Sequence, residues 1–181
     1  ENPRDRRFHA QPNACWKCGP QLELWDSQGR EVECSDPVAQ AVARLRNGEV
    51  VAIKGLGGFH LAADATNAAA VELLRGRKHR FGKPFAVMVP DLKTAETFCE
   101  IDPQAKAALT SRQRPIVLLP RKPGTAIADA VAPGHRDLGI FLPYTPAHHL
   151  LFAARQFSAL VMTSGNLSEE PIAIDNREAV T

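Results

Sequence analysis

Residues 49–90 read EVVAIKGLGGFHLAADATNAAAVELLRGRKHRFGKPFAVMVP, and the punctuation of this stretch decides the fold. EVVAIKG is an apolar run that breaks into a glycine turn and resumes as GFHLAADAT, two strand-like pieces joined by a tight reversal. NAAAVELLRGRK then has helical spacing, and KPFAVMVP is a short apolar run closed by Pro90, the pattern of a buried strand. The same alternation continues outward. Upstream, SDPVAQAVARLRNGE carries a Ser/Asp cap, Pro37 in its first turn, Val38, Val42 and Leu45 at helical spacing, and Gly48 as its stop. Downstream lie two short helical stretches within Asp91 to Thr110, strand RPIVLLP, a Pro/Gly-rich loop from Arg121 to Gly134, strand DLGIFLP, helix TPAHHLLFAARQ and strand SALVMTS. Strands and helices alternate without repeats, which predicts an α/β domain with a mixed sheet. The first 26 residues differ: they are rich in turn formers and carry ACWKCGP followed by strand-like QLELW, a knuckle with a β-ribbon.

Composition bounds what such a domain can do. With 181 residues, 44% of them hydrophobic, the chain can bury one core and carry a small appendage. The net charge is +2, yet removing the five cations between Arg75 and Lys83 leaves 17 Lys/Arg against 20 Asp/Glu, a balance of −3. Positive charge is therefore local, which favours a small anionic ligand over a nucleic-acid coat. No apolar run approaches the roughly 18 residues of a membrane span, and the opening ENPRDRRFHAQP is no signal peptide. Cytosol is the expected compartment. One C-x-x-C pair with Cys34 and Cys99 scattered argues against a disulfide framework.

Three polar constellations fall at strand ends, where open α/β sheets bind ligands. In IKGLGGFH, Lys54 and the Gly57-Gly58-Phe59 turn leave the sheet where backbone could approach a ligand; a glycine hairpin with a solvated lysine is the alternative. In RGRKHRFGKP, Lys78 and Arg80 fall at alternate positions of a segment expected to be extended, so both could point one way as a claw for a polyphosphate, with Lys83 following. The alternative is a solvated cationic helix end. In VMTSGNLSEEP, Ser164, Asn166 and Ser168 could aim hydroxyls, an amide and backbone N–H groups at an oxyanion, or form an ordinary turn.

KHRFGKPFAVMV, LGIFLPYTPAHHLL and VMTSGNLSEEPI, in this order and separation, resemble the YrdC-like domain of the HypF family, the carbamoyltransferases of nickel–iron hydrogenase maturation. RRFHAQPNACWKCGP resembles the closing half of the second zinc finger that precedes that domain. The resemblance implies a YrdC-like twisted mixed sheet with flanking helices over residues 35–181, preceded over 1–26 by the carboxy-terminal half of a zinc finger. It also implies that such domains continue past Thr181. HypF proteins turn carbamoyl phosphate and ATP into a thiocarboxamide on the terminal cysteine of HypE. The YrdC-like step joins carbamate to ATP as carbamoyl adenylate, with loss of pyrophosphate. On this resemblance Lys78 and Arg80 are the catalytic pair on the ATP phosphates, and Ser164 and Asn166 contact nucleotide or adenylate. Lys54, Gly57, Gly58, Phe59 and Lys83 complete the ATP- or adenylate-binding set. Magnesium on the phosphates, the other HypF domains and HypE are the implied cofactor and partners; no membrane and no nucleic acid are expected.

Related tRNA-modifying synthases of threonylcarbamoyl adenylate share the K-x-R and S-x-N elements. They carry an arginine where Phe141 stands here, and a PT-x-T-x-YG motif where this chain has KGLGGFH, so both differences count against a threonine-based substrate. Such a synthase, an RNA-binding module and a non-catalytic docking module remain the alternatives. Zinc normally takes four ligands and Cys15 with Cys18 supplies two; in the family the other pair lies upstream. His9 and Cys34 are the makeshift alternative. Cys99 reads as a small buried apolar residue, and of His148 and His149 one is expected to pack and the other to face solvent.

Overall fold

The computed structural model describes residues 19–166 and 171–180. Its elements run α1 (Pro37–Arg46), β1 (Val51–Lys54), β2 (Phe59–Asp64), α2 (Ala68–Arg77), β3 (Ala86–Met88), α3 (Leu92–Phe98), α4 (Pro103–Thr110), β4 (Val117–Pro120), β5 (Asp137–Phe141), α5 (Pro146–Ala153) and β6 (Leu160–Ser164). All lie where the sequence places them. Each α-helix begins at an oxygen-bearing side chain that accepts an N–H of the first turn: Asp36, Asn67, Asp91, Asp102 and Thr145.

The six strands form one mixed sheet in the order β1-β2-β6-β3-β5-β4. β3 and β5 are parallel and every other pair is antiparallel. The last strand, β6, is thus inserted between β2 and β3, with Ser164 opposite His60 and Met162 opposite both Ala62 and Ala86. One face carries Ala63, Val87, Val161, Leu138 and Ile140 into a core closed by Val71 and Leu74 of α2, Phe98 of α3 and Leu109 of α4. The other carries Val51, Ala62, Met88, Phe141 and Met162 against Val42 and Leu45 of α1 and Leu151 and Phe152 of α5. Alternation along each strand feeds the two cores, so both faces of the sheet are covered.

Two expectations change. Among the described residues the β-ribbon is a single antiparallel bridge, Trp25 with Glu31. Asp26 closes that loop by accepting the N–H groups of Gln28 at 2.8 Å and Arg30 at 3.0 Å, a side-chain turn too tight for longer pairing. Nor is the segment after α2 extended. Lys78 keeps helical backbone angles (φ −86°, ψ −1°) and His79 is left-handed at φ 47°, so the chain coils on before it turns.

Arg75 belongs to the core and not to the basic surface. It shares the inner face of α2 with Val71 and is 5% exposed. Its guanidinium donates to the carbonyls of Arg80 (2.5 Å), Lys83 (3.2 Å), Ala130 (3.0 Å from Nε, 2.5 Å from Nη2) and Val131 (3.3 Å), and lies 4.7 Å from the centroid of the Phe85 ring. It ties α2, the 80–84 loop and the 3₁₀ turn Asp129–Val131 into one unit. Arg75→Ala is expected to cost about 2–3 kcal/mol, because buried carbonyls lose their donor, and to lower the melting temperature by roughly 5–10 °C. Arg75→Lys should not restore it, since one ammonium cannot span the same carbonyls; thermal denaturation reads both.

His148 is the buried member of the histidine pair, 1% exposed, while His149 is exposed. Burial pushes its pKa down to about 4. An unfolded chain titrates nearer 6.5, so between these values the unfolded state binds the extra proton. Stability from the neutral ring is complete above pH 6.5 and is lost as pH falls toward 4. The melting temperature should drop through that window, and drop less in His148→Phe.

Candidate functional site

The site forms where the end of β6 meets the end of α2. The Lys78 Nζ donates to the carbonyl of Ser164 at 2.6 Å, to the carbonyl of Asn166 at 3.0 Å and to Asn166 Oδ1 at 3.0 Å. Three ammonium protons meet three acceptors. Ser164 Oγ donates to the same Asn166 Oδ1 at 2.6 Å. The K-x-R and S-x-N elements, far apart in sequence, are therefore one hydrogen-bonded unit. Burial is the main cause that lowers the Lys78 pKa, and the nearby Arg80 charge acts in the same direction.

Arg80 does not extend beside Lys78 as the expected claw. Its Nε donates to the Lys83 carbonyl at 3.3 Å and its Nη2 to the Pro84 carbonyl at 2.8 Å, and the guanidinium lies 5.2 Å from the Phe85 centroid. The left-handed turn at His79 accounts for this divergence. Among the described residues no carboxylate pairs with Lys78, Arg80 or Lys83, and Lys83 is exposed. An anion arriving here would find cations, the Ser164 hydroxyl and loop backbone.

The glycine turn closes on the chain itself. Gly55 N–H donates to the Gly58 carbonyl at 2.8 Å, and Phe59 N–H to the Ala173 carbonyl at 2.8 Å. Gly165 N–H donates to the Phe59 carbonyl at 2.7 Å, and Ala173 N–H to the Gly165 carbonyl at 3.0 Å. Residues beyond the S-x-N loop thus lace the β1–β2 turn to the end of β6. Gly58, at φ +137°, is buried, and a Cβ there would stand 2.7 Å from the Ala173 carbonyl oxygen: its close approach is to the protein's own backbone. Gly57 has open space around it. Lys54 Nζ donates to Asn176 Oδ1 at 2.6 Å and lies 5.4 Å from the centroid of the Phe59 ring. Lys54 and Phe59 therefore join the site through Gly165, Ala173 and Asn176.

Sequence reading missed three contributors: Arg75 as the anchor of the Lys78–Pro84 segment, Ala173 with Asn176 as the closure of the glycine turn, and His60 opposite Ser164. Arg75 had a signal, because it falls on the apolar stripe of α2. The other two arise from long-range pairing. Cys15, Cys18, His9 and Ser168 lie outside the described residues. Among the described ones no group of three or more His, Cys, Asp or Glu could hold a metal. Cys99 is fully buried and burial pushes its thiol up to about 11, the inert residue expected; Cys34 is also unpaired. Two open clefts of about 700 and 630 Å³, one by Arg112, Arg114 and Tyr144 and the other by Arg121, Lys122 and His135, include none of the K-x-R or S-x-N residues.

Comparison with known proteins gives the family of the chain. Residues 43–181 fit the family described as Telomere recombination, whose members include the YrdC proteins, and residues 1–25 fit the HypF finger. The carbamoyltransferase HypF of Rhodobacter capsulatus is 52% identical over 179 residues, covering 99% of this chain and 23% of that protein. A full-length HypF crystallised in its phosphate- and nucleotide-bound form superposes with a TM-score of 0.87 at 46% identity, over 99% of this chain and 23% of the other. HypF of T. kodakarensis gives a TM-score of 0.91 at 40% identity with the same coverage. The chain thus spans about a quarter of the length of the relatives it matches. With the finger fit over residues 1–25, the YrdC-type fit over residues 43–181 and its likeness to HypF carbamoyltransferases along 99% of its length, the chain belongs to the HypF family.

Proposed function

We propose that this chain carries out the adenylating step of a HypF carbamoyltransferase: carbamate and ATP become carbamoyl adenylate and pyrophosphate. The observation that carries the reading is the Lys78 ammonium bound to Ser164 and Asn166, which sets cation and hydroxyl-rich loop side by side at one sheet end. In the reaction a carbamate oxygen forms a bond to the α-phosphorus, the α–β bridging P–O bond breaks, and pyrophosphate leaves with the electron pair. Carbamate arrives ionised, so no protein base is needed. Catalysis then rests on neutralising phosphate charge and placing a small nucleophile. Lys78 orders the Ser164–Asn166 loop and holds positive charge beneath it. Arg80 and Lys83 add charge along the phosphates, and Lys54, Gly57, Gly58 and Phe59 border the nucleotide from the β1–β2 turn.

Magnesium fits this site only as an ion carried in on ATP, because the described residues offer no carboxylate cluster for it. Cys15 and Cys18 are two soft donors for a structural zinc that needs four, and Cys34 and Cys99 belong to no ligand cluster among the described residues. We assign residues 1–26 to the finger and 35–181 to the adenylating domain. We place the reaction in the cytoplasm, between a domain that releases carbamate from carbamoyl phosphate and one that passes the carbamoyl group to HypE. The product serves the cyanide ligands of nickel–iron hydrogenase.

Pyrophosphate release from ATP, magnesium and fresh carbamate tests the reading, beside a threonine-plus-bicarbonate control. Carbamate-dependent release is expected, with kcat/KM about 100-fold lower in Lys78→Ala, because both the charge and the loop's anchor are removed. Arg80→Ala should lose about tenfold. Release with threonine alone would move the chain to threonylcarbamoyl-adenylate chemistry, and none from folded protein would leave a docking module.

A further inference from the structure

Among the described residues, every buried side-chain nitrogen or oxygen without a hydrogen-bond partner belongs to two rings: Nδ1 of His60 and both nitrogens of His148. Such atoms are costly to bury, and a small polar molecule that pairs with them recovers that cost. His60 stands opposite Ser164 on β6 and Ile53 on β1. Directly opposed residues share a sheet face, so its ring projects beside Ser164. That face is covered by α5, where Leu151 and Phe152 pack with Met162 and Phe141. His148 lies one helical turn before Leu151 and Phe152 and therefore faces the same layer. The two rings are near enough that a charge on His60 lowers the pKa of His148.

The surroundings are built for these rings. A Cβ on Gly55 would stand 3.0 Å from His60 Nδ1, so the first glycine of the turn makes room for the imidazole. Tyr144 sets its ring edge-on to His148 at 4.6 Å and lies 6.3 Å from Phe141. Burial lowers the pKa of both histidines, which favours the neutral ring in each. A neutral imidazole offers one donor and one acceptor, so the pair presents N–H groups and lone pairs together. A plain carboxylate or phosphate would use only the donors and face the lone pairs at a loss. Carbamate has acceptor oxygens and donor N–H groups on one small planar body and can satisfy both.

We propose that His60 and His148 form the acyl end of the adenylation site, where they recognise carbamate by both its N–H and its oxygen edges while Phe141 and Tyr144 limit its size. This rests on the adenylating reading above. It gives the site a direction: phosphates toward Lys78 and Arg80, acyl group toward the histidines, and Ser164 between them, since its carbonyl accepts from Lys78 and its strand position opposes His60.

The test measures carbamate and ATP dependence of pyrophosphate release for the chain and for His148→Phe and His60→Ala, with melting temperatures alongside. His148→Phe removes unpaired polar atoms from an apolar layer and should melt at the same temperature or about 2 °C higher. Its KM for carbamate should rise about tenfold, the effect of roughly one lost hydrogen bond, with KM for ATP within about twofold. His60→Ala should raise the carbamate KM similarly and admit N-methylcarbamate, which the parent rejects. In a ¹⁵N-histidine sample, ammonium carbamate with ATP should move the imidazole signals of both residues, and threonine with bicarbonate should not. Unchanged carbamate KM in both folded variants, a matching rise in KM for ATP, or still imidazole signals would overturn the assignment. If the parent chain releases no pyrophosphate with carbamate, the adenylating reading falls with it. A parent that turns over beside indifferent variants removes only the role of the histidines.

Discussion

One ammonium group holds the site together. Lys78 closes α2 and places its three donors on the loop that ends β6, fixing the ends of two elements that already share a core through Val71, Leu74 and Val161. A half-buried lysine is costly, and its partial burial lowers its pKa, yet three good acceptors offset the lost hydration. No carboxylate among the described residues pairs with that charge. The arrangement separates positioning from neutralisation: hydrogen bonds fix where the lysine sits, and the charge is left for an anion.

That contact exists because β6 enters the middle of the sheet. Between β2 and β3 it brings Ser164 opposite His60 and its loop over the end of α2. The chain beyond then returns through Ala173 and ties the glycine turn to Gly165. Arg75 does the corresponding work on the other flank by collecting the carbonyls of the 80–84 segment. Three structural devices therefore converge on a site whose exposed groups are few, which is how rigid placement of a small nucleophile is achieved.

The two faces of the sheet divide the labour. The face under α2, α3 and α4 is largely apolar, with Arg75 and Thr163 as its buried polar members, and supplies a conventional core. The face under α1 and α5 is also largely apolar, but it contains His60 and His148, whose Nδ1 atoms and the His148 Nε2 are buried without a partner among the described residues. A layer used only for stability would have filled those positions with leucine or phenylalanine. Keeping neutral polar rings there is explicable if a small polar substrate enters between them.

The sequence by itself determined the elements, their order and the chemistry of the polar clusters, because capping side chains, proline and glycine act locally and apolar periodicity survives without tertiary context. It also marked Lys78, Arg80, Ser164 and Asn166 as candidates. Only the tertiary structure decided which of them meet. The left-handed backbone at His79 sends Arg80 away from Lys78, Gly58 serves a backbone crossing with Ala173, and Arg75 turns inward although it lies within a basic run. His60 became a neighbour of the site through pairing with a strand about a hundred residues later. Strand order and the direction of a long side chain depend on contacts distant in sequence, and no local pattern encodes them.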